Sequence, residues 1–349
     1  MSTTPHDGQY DDRPRRQVAT ASCLTLFKRN HPARLHRSVP RRLETHMDIL
    51  QANQYIARLD AEAEHHSVAF APRRAMRWRV FGKSDATVPL VLIHGGHGSW
   101  LHWIRNIELL ARDHRLYVPD LPGTGDSDDA PDGAGIPTMV DIVMATLNKL
   151  FGSDRVIDLA GFSFGGIVSA YVAAQRGAVR RLALLGSPGS DTPSRRKGEM
   201  MRWKNAPTDE QNAALRNNLL THMMYAERNV DALAFRAYAD AVKATRFRGR
   251  GMAHGVPLNE ILKPYANPVL FMYGEHDVIC TPQQAADKLT NVSAQRECRV
   301  VADSGHWVQL EGAKTVNVAL TQWFSARADD PTAESETLTI LPRATASVS

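Results

Sequence analysis

Between residues 76 and 302 the chain alternates short, strongly apolar runs with longer stretches in which apolar side chains recur every three or four positions. The short runs, at 76–81, 89–93, 116–118, 156–159, 182–185, 269–273 and 299–302, are rich in β-branched residues and nearly uninterrupted, as strands buried on both faces must be. Helical patterns occupy 100–111, 137–151, 166–175 and 282–289. An earlier one begins at Met47, placing Ile49, Leu50, Tyr55, Ile56 and Leu59 at helical spacing in a short helix reaching about residue 66. Strands separated by helices predict an α/β fold with a mostly parallel, doubly wound sheet. From 187 to 262 no strand pattern is found, and Met200, Met201, Leu219, Leu220, Met223, Met224 and Tyr225 punctuate a run of helix formers. That interval predicts a helical insertion lying over the sheet.

The two ends read differently. Residues 328–349 are rich in Thr, Ser, Asp and Pro and predict a disordered tail. Residues 1–46 hold nine basic and four acidic side chains, so the whole net charge of +5 sits there and the other 303 residues balance at 33 of each sign. A basic excess in a Pro, Ser and Arg-rich leader, rather than on a folded face, argues against nucleic acid or an anionic membrane as partner. The leader is expected to be dispensable, with the folded body starting at Met47. The rest divides into a core at 47–186 and 263–327 and a helical cap at 187–262.

Composition narrows the chemistry. With 43% hydrophobic and 23% charged residues the chain has a core to bury, and no apolar stretch approaches the roughly 18 residues that span a membrane. Cys23, Cys280 and Cys298, odd in number and far apart, fit free thiols in a reducing, cytoplasmic setting rather than a disulfide framework. No metal or nucleotide signature is present, so no cofactor is expected.

The strongest chemical signal is Gly161-Phe162-Ser163-Phe164-Gly165-Gly166, directly after the strand at 156–159 and directly before an Ala and Val-rich helix. A serine flanked by glycines at a strand-to-helix turn forms a nucleophile elbow, too tight for larger neighbours and presenting its hydroxyl to a cleft. A serine hydroxyl needs a base and an orienting carboxylate. Gly274-Glu275-His276-Asp277 and Ser304-Gly305-His306-Trp307 follow the two last strands, at the sheet edge where such folds build sites. The order Ser163, Asp277, His306 predicts nucleophile, acid and base. Glu275 competes for the acid role but, two residues nearer the strand, is expected to point away. His65, His66, His222, His254 and His276 read as surface or structural side chains. The glycine-rich His94-Gly95-Gly96-His97-Gly98 loop can bring backbone amides to a developing oxyanion, and the amides of Gly96 and Phe164 are expected to form that hole. His94 is expected to hold the loop.

Taken together, the His94 loop, Asp120-Leu121-Pro122-Gly123-Thr124-Gly125-Asp126-Ser127, the elbow, Gly274 to Asp277 and Gly305-His306 resemble the α/β-hydrolase fold family over about residues 76–324. The resemblance implies that Asp120 and Asp126 shape a turn rather than catalyse, and that 187–262 is a cap over the active site. Gly305-His306-Trp307-Val308-Gln309 is similar to the end of the meta-cleavage-product hydrolases, which cut a carbon-carbon bond in dienoate ring-fission products and carry a cap arginine near Arg195 and Arg196. That subgroup usually has Asn where Phe162 stands, which makes carboxylic-ester hydrolysis at least equally expected. A serine nucleophile excludes the aspartate chemistry of epoxide hydrolases and haloalkane dehalogenases.

Phe162, Arg196, Trp203 and Trp307 are the expected substrate contacts. Twelve basic against eight acidic residues in the cap, Arg246, Arg248 and Arg250 among them, would suit a small acidic, partly aromatic substrate beside Trp203, Phe235 and Tyr238. A cofactor-free lyase or oxygenase, or a non-catalytic ligand-binding protein, could reuse the same fold. Oligomeric state is left open, a homo-oligomer included.

Overall fold

Side chains alternate in direction along a strand, so an unbroken apolar run folds stably only with cover on both faces. In β3 (Leu90–Ile93), Leu90 and Leu92 join one buried cluster with Phe162, Leu185, Met272 and Trp307, while Val91 and Ile93 join another with Leu159, Leu184, Phe271 and Tyr273. The computed structural model describes residues 47–83, 88–195, 198–247, 249, 252 and 255–326, with the backbone of 339–341. The expectations for the leader, Cys23, Arg196, Arg248, Arg250 and His254 fall outside the described residues.

Among the described residues nine strands form one sheet: β1 (Glu64–Ala71), β2 (Arg74–Phe81), β3, β4 (Leu116–Asp120), β5 (Ile157–Phe162), β6 (Val179–Leu185), β7 (Val269–Gly274), β8 (Arg296–Val301) and β9 (Thr339–Leu341). Their spatial order is β1-β2-β4-β3-β5-β6-β7-β8-β9. β2 pairs antiparallel with β1 and β4, and every other neighbour is parallel.

The helices are α1 (Ile49–Ala61), α2 (Ile107–Leu110), α3 (Ile136–Phe151), α4 (Phe164–Arg176), α5 (Thr208–Asn218), α6 (Ala232–Ala244), α7 (Leu258–Ile261), α8 (Pro282–Thr290), α9 (Val308–Glu311) and α10 (Ala313–Ser325). α5, a π-helical turn at Leu219–Met223, α6 and α7 fall in the insertion between β6 and β7, where the described residues contain no strand. No helix among the described residues is long and apolar enough to cross a membrane.

Three local expectations change. The first helix stops at Ala61 rather than about residue 66, and Glu64 opens β1. Its start is set by a capping box in which the Asp48 carboxylate accepts from the Gln51 amide and the Gln51 side chain accepts from the Asp48 amide. β1 went unseen because the first four residues of this edge strand, Glu64, His65, His66 and Ser67, are exposed on both faces, where a buried strand would be apolar. Within the tail expected to be disordered, Thr339–Leu341 pairs in parallel with β8.

Candidate active site

The end of β5 and the start of α4 meet at Ser163, whose backbone sits at φ 51° and ψ −118°. Such a conformation is rare for a non-glycine residue and persists only where the surroundings enforce it. The neighbouring glycines show how they do so. A Cβ on Gly161 would lie 2.3 Å from Ser169 Oγ, one on Gly165 2.2 Å from the His94 carbonyl oxygen, and one on Gly166 1.8 Å from Ser187 Oγ. No larger residue fits at any of the three without moving backbone or buried side chains. Ser163 is held half-buried by this turn.

The ends of β7 and β8 bring up the other two residues. His306 Nε2 lies 3.0 Å from Ser163 Oγ, and its Nδ1 lies 3.0 and 3.2 Å from the two oxygens of Asp277. Asp277 is fully buried and His306 is 1% exposed, so neither partner exchanges this contact for water. One Asp277 oxygen also accepts from the Ile279 amide at 3.0 Å. Glu275 turns outward, accepting from the Asp303 amide. Beneath His306 runs Gly186 at φ 52°, where a Cβ would come within 3.1 Å of the imidazole.

The glycine-rich loop passes directly over the elbow. A Cβ on Gly95 would meet the Phe162 ring at 2.9 Å and Ser163 Cβ at 3.1 Å, and one on Gly96 would stand 3.6 Å from Phe164 Cβ. Phe164 is the first residue of α4, where a helix offers its own amide no acceptor. The two expected donors are therefore neighbours beside Ser163. His94 holds the loop: its Nδ1 donates to the Gly95 carbonyl at 2.8 Å, and its Nε2 accepts from the Leu121 amide at 2.9 Å. Asp120 accepts from the Trp100 and Asp126 amides and from Arg79, which fits a turn-shaping role.

Sequence reasoning passed over His102. Its Nδ1 accepts from the Gly95 amide at 3.1 Å, and Gly98 fits only because a Cβ there would strike the His102 ring at 2.3 Å. A lone histidine on a short 3-10 turn carries no pattern that announces this contact. Burial, the dominant cause, pushes His102 well below its ordinary value near 6.5 and lowers His94 in the same direction. Each binds fewer protons folded than unfolded. Their contribution to stability is complete above about pH 6.5 and is lost as pH falls below it, by up to about 1.4 kcal/mol per pH unit for each histidine. Urea midpoints measured at pH 7.5 and 5.5 should fall accordingly, and equal midpoints would contradict neutral burial.

The expected substrate contacts are rearranged. Phe162 is 1% exposed with its ring tilted 41° to the His306 ring at 5.0 Å between centroids, and Trp307 is fully buried with its indole N–H donating to the His102 carbonyl at 2.9 Å. The Phe162 ring packs against His306 and His102, and the Trp307 ring against His102. Trp203 is half-buried against the same apolar cluster, with the Lys204 ammonium over its ring. Arg195 donates to the Glu275 carbonyl and Arg246 pairs with Asp129, so both serve protein groups. From the cap, His222 comes to 5.3 Å from the His306 ring and Phe247 to 6.1 Å from Phe164. His222, read from sequence as surface or structural, is thus a wall of the site. Its π-helical turn is a feature that often marks functional positions. No cluster of three or more His, Cys, Asp or Glu side chains able to hold a metal ion occurs among the described residues.

Comparison with known proteins follows the same outline. The sequence profile of the alpha/beta hydrolase fold matches residues 88–313. The 2-hydroxymuconate semialdehyde hydrolase of Pseudomonas sp. (strain CF600) is 29% identical over 263 residues, 70% of this chain and 89% of that one. The dihydrolipoyllysine-residue acetyltransferase component of the acetoin cleaving system of Pseudomonas putida is 31% identical over 258 residues, and the match spans 70% of this chain but only 65% of that relative's length. Among solved structures, carboxylesterase CesB from Bacillus subtilis superimposes with a TM-score of 0.63 at 20% identity, covering 79% of this chain and 97% of that one.

Proposed function

This chain belongs to the alpha/beta hydrolase fold family and is a hydrolase, and on that premise we propose that it hydrolyses a small carboxylic ester through Ser163, His306 and Asp277. The observation that carries the reading is the continuous relay from Ser163 Oγ to His306 Nε2 at 3.0 Å and from His306 Nδ1 to the buried Asp277. His306 takes the Ser163 proton as the hydroxyl oxygen attacks the ester carbonyl. Asp277 fixes the imidazole with Nδ1 protonated and stabilises the imidazolium that forms. The Gly96 and Phe164 amides receive the oxyanion, where donors placed in advance are worth more than in water. His306 then protonates the departing alcohol, the tetrahedral centre collapses to an acyl-Ser163, and a water activated by His306 releases the acid by the same path. The partner in this scheme is the substrate alone, with no metal, organic cofactor, nucleic acid or membrane. The free, buried thiols of Cys280 and Cys298 support a cytoplasmic location.

Carbon-carbon cleavage of a dienoate is the second reading, favoured by the relative named as a 2-hydroxymuconate semialdehyde hydrolase. Ester hydrolysis is preferred because Phe162 is sealed into the core at the position before the nucleophile, and because Arg195 is turned to a protein carbonyl rather than to a substrate carboxylate. Assays of short aryl esters and of a dienoate ring-fission product, run side by side, test the choice. A kcat/KM higher for the esters is expected, and a higher value for the dienoate would reverse the order.

A further inference from the structure

Glu311, the last residue of α9, stands five residues beyond His306 and is 5% exposed. Its carboxylate accepts four N–H groups. One oxygen takes the Gly305 and Tyr225 amides, both at 2.8 Å, and the other takes the Ala226 amide at 3.0 Å and the Asn229 side chain at 2.7 Å. Gly305 precedes the proposed base, whereas the other three donors belong to the cap, directly after the turn that carries His222.

The same seam is closed at other points. The Trp307 amide donates to the Met223 carbonyl at 2.7 Å, and a Cβ on Gly305 would lie 2.7 Å from the Tyr225 nitrogen, so the two backbones run in contact. Tyr225 stacks at 3.5 Å on His276, the residue before Asp277. Burial of a carboxylate is costly unless its oxygens are satisfied, and here both oxygens are, by donors from the two segments that have to stay together.

We propose that Glu311 is a positioning residue: it ties the cap turn 223–229 to the loop bearing His306, so that the base keeps its register with Ser163 and Asp277 through the seating of the cap. The inference rests on the Ser163, His306 and Asp277 reading. The exchange Glu311→Gln tests it, since an amide leaves only one acceptor oxygen and turns an NH2 group toward two donors. With the clamp loosened, His306 drifts from its partners. The groups facing it are Asp277, His222, His102 and Ser163, and Asp277 is the one that stabilises its protonated form.

The expected result for folded Glu311→Gln is a kcat on an aryl ester reduced by about tenfold or more, with KM changed far less. Fluorophosphonate labelling of Ser163 should slow in step. Asn229→Ala, which removes one cap donor, should lower kcat and the labelling rate in the same direction to a smaller degree. A purely structural Glu311 would lower the melting temperature and leave kcat and the labelling rate of the folded protein at wild-type values, and that outcome overturns the proposal. Should Glu311→Gln fail to fold, wild-type kcat and labelling in Asn229→Ala overturn it equally. Failure of the underlying reading is seen separately, as wild-type protein that is not labelled at Ser163.

Discussion

Replacing Ser163 by alanine is expected to lower ester turnover by about four to six orders of magnitude while leaving the fold intact. The substitution removes a single oxygen whose partner is His306 Nε2. Alanine at φ 51° is strained, but serine already bears the same strain. Residual turnover would come from the amides of Gly96 and Phe164 and from substrate binding. The check is kcat for an aryl ester, measured beside a melting curve. An alanine variant within tenfold of the wild type would place the nucleophile elsewhere.

Asp277→Asn should be nearly as damaging, with kcat reduced by about 10⁴-fold. Asparagine has the shape of aspartate, and its oxygen can still accept the Ile279 amide, so the fold is retained. Its nitrogen would then replace the oxygen 3.2 Å from His306 Nδ1, while the oxygen 3.0 Å away is retained. The nitrogen contact is favourable only if Nδ1 gives up its proton, and the tautomer that does so carries the proton on Nε2 facing Ser163 Oγ, where a base is needed. The loss is thus one of tautomer and of imidazolium stabilisation, not of packing. The rate should partly recover at high pH, where hydroxide substitutes for the base, and kcat measured between pH 7 and 10 checks this. Full activity at pH 7 would assign the orienting acid to another group, with Glu275 excluded by its outward position.

The elements legible in the chain are those whose environment is uniform. β3 to β7 are buried along nearly their whole length and β8 ends on buried Val300 and Val301, so their apolar residues stand out, and Ser163, Asp277 and His306 could be placed because each follows such a run. The glycine-rich loop and Asp120 were legible for the same reason. β1 was not, since an edge strand with exposed Glu64 to Ser67 resembles the polar end of a helix. Adjacency to a reactive residue does not say where a neighbouring side chain packs: the Phe162 ring lies against His306 and the Trp307 ring against His102. His102 and Glu311 lay beyond reach for a different reason. The partners of Glu311, Tyr225 and Ala226, are 86 and 85 residues away and meet it only where the cap packs on the core, whereas His102 is seven residues from Gly95 but carries no repeat or spacing that marks the contact.

The account turns on Ser163 as an activated nucleophile, and reaction with a fluorophosphonate probe followed by peptide mapping tests it most directly. The predicted result is a single adduct on the peptide containing Gly161-Phe162-Ser163-Phe164-Gly165, formed rapidly by the wild type, slowly by Asp277→Asn and not at all by Ser163→Ala. Labelling that persists in Ser163→Ala, or that maps to another residue, would contradict it.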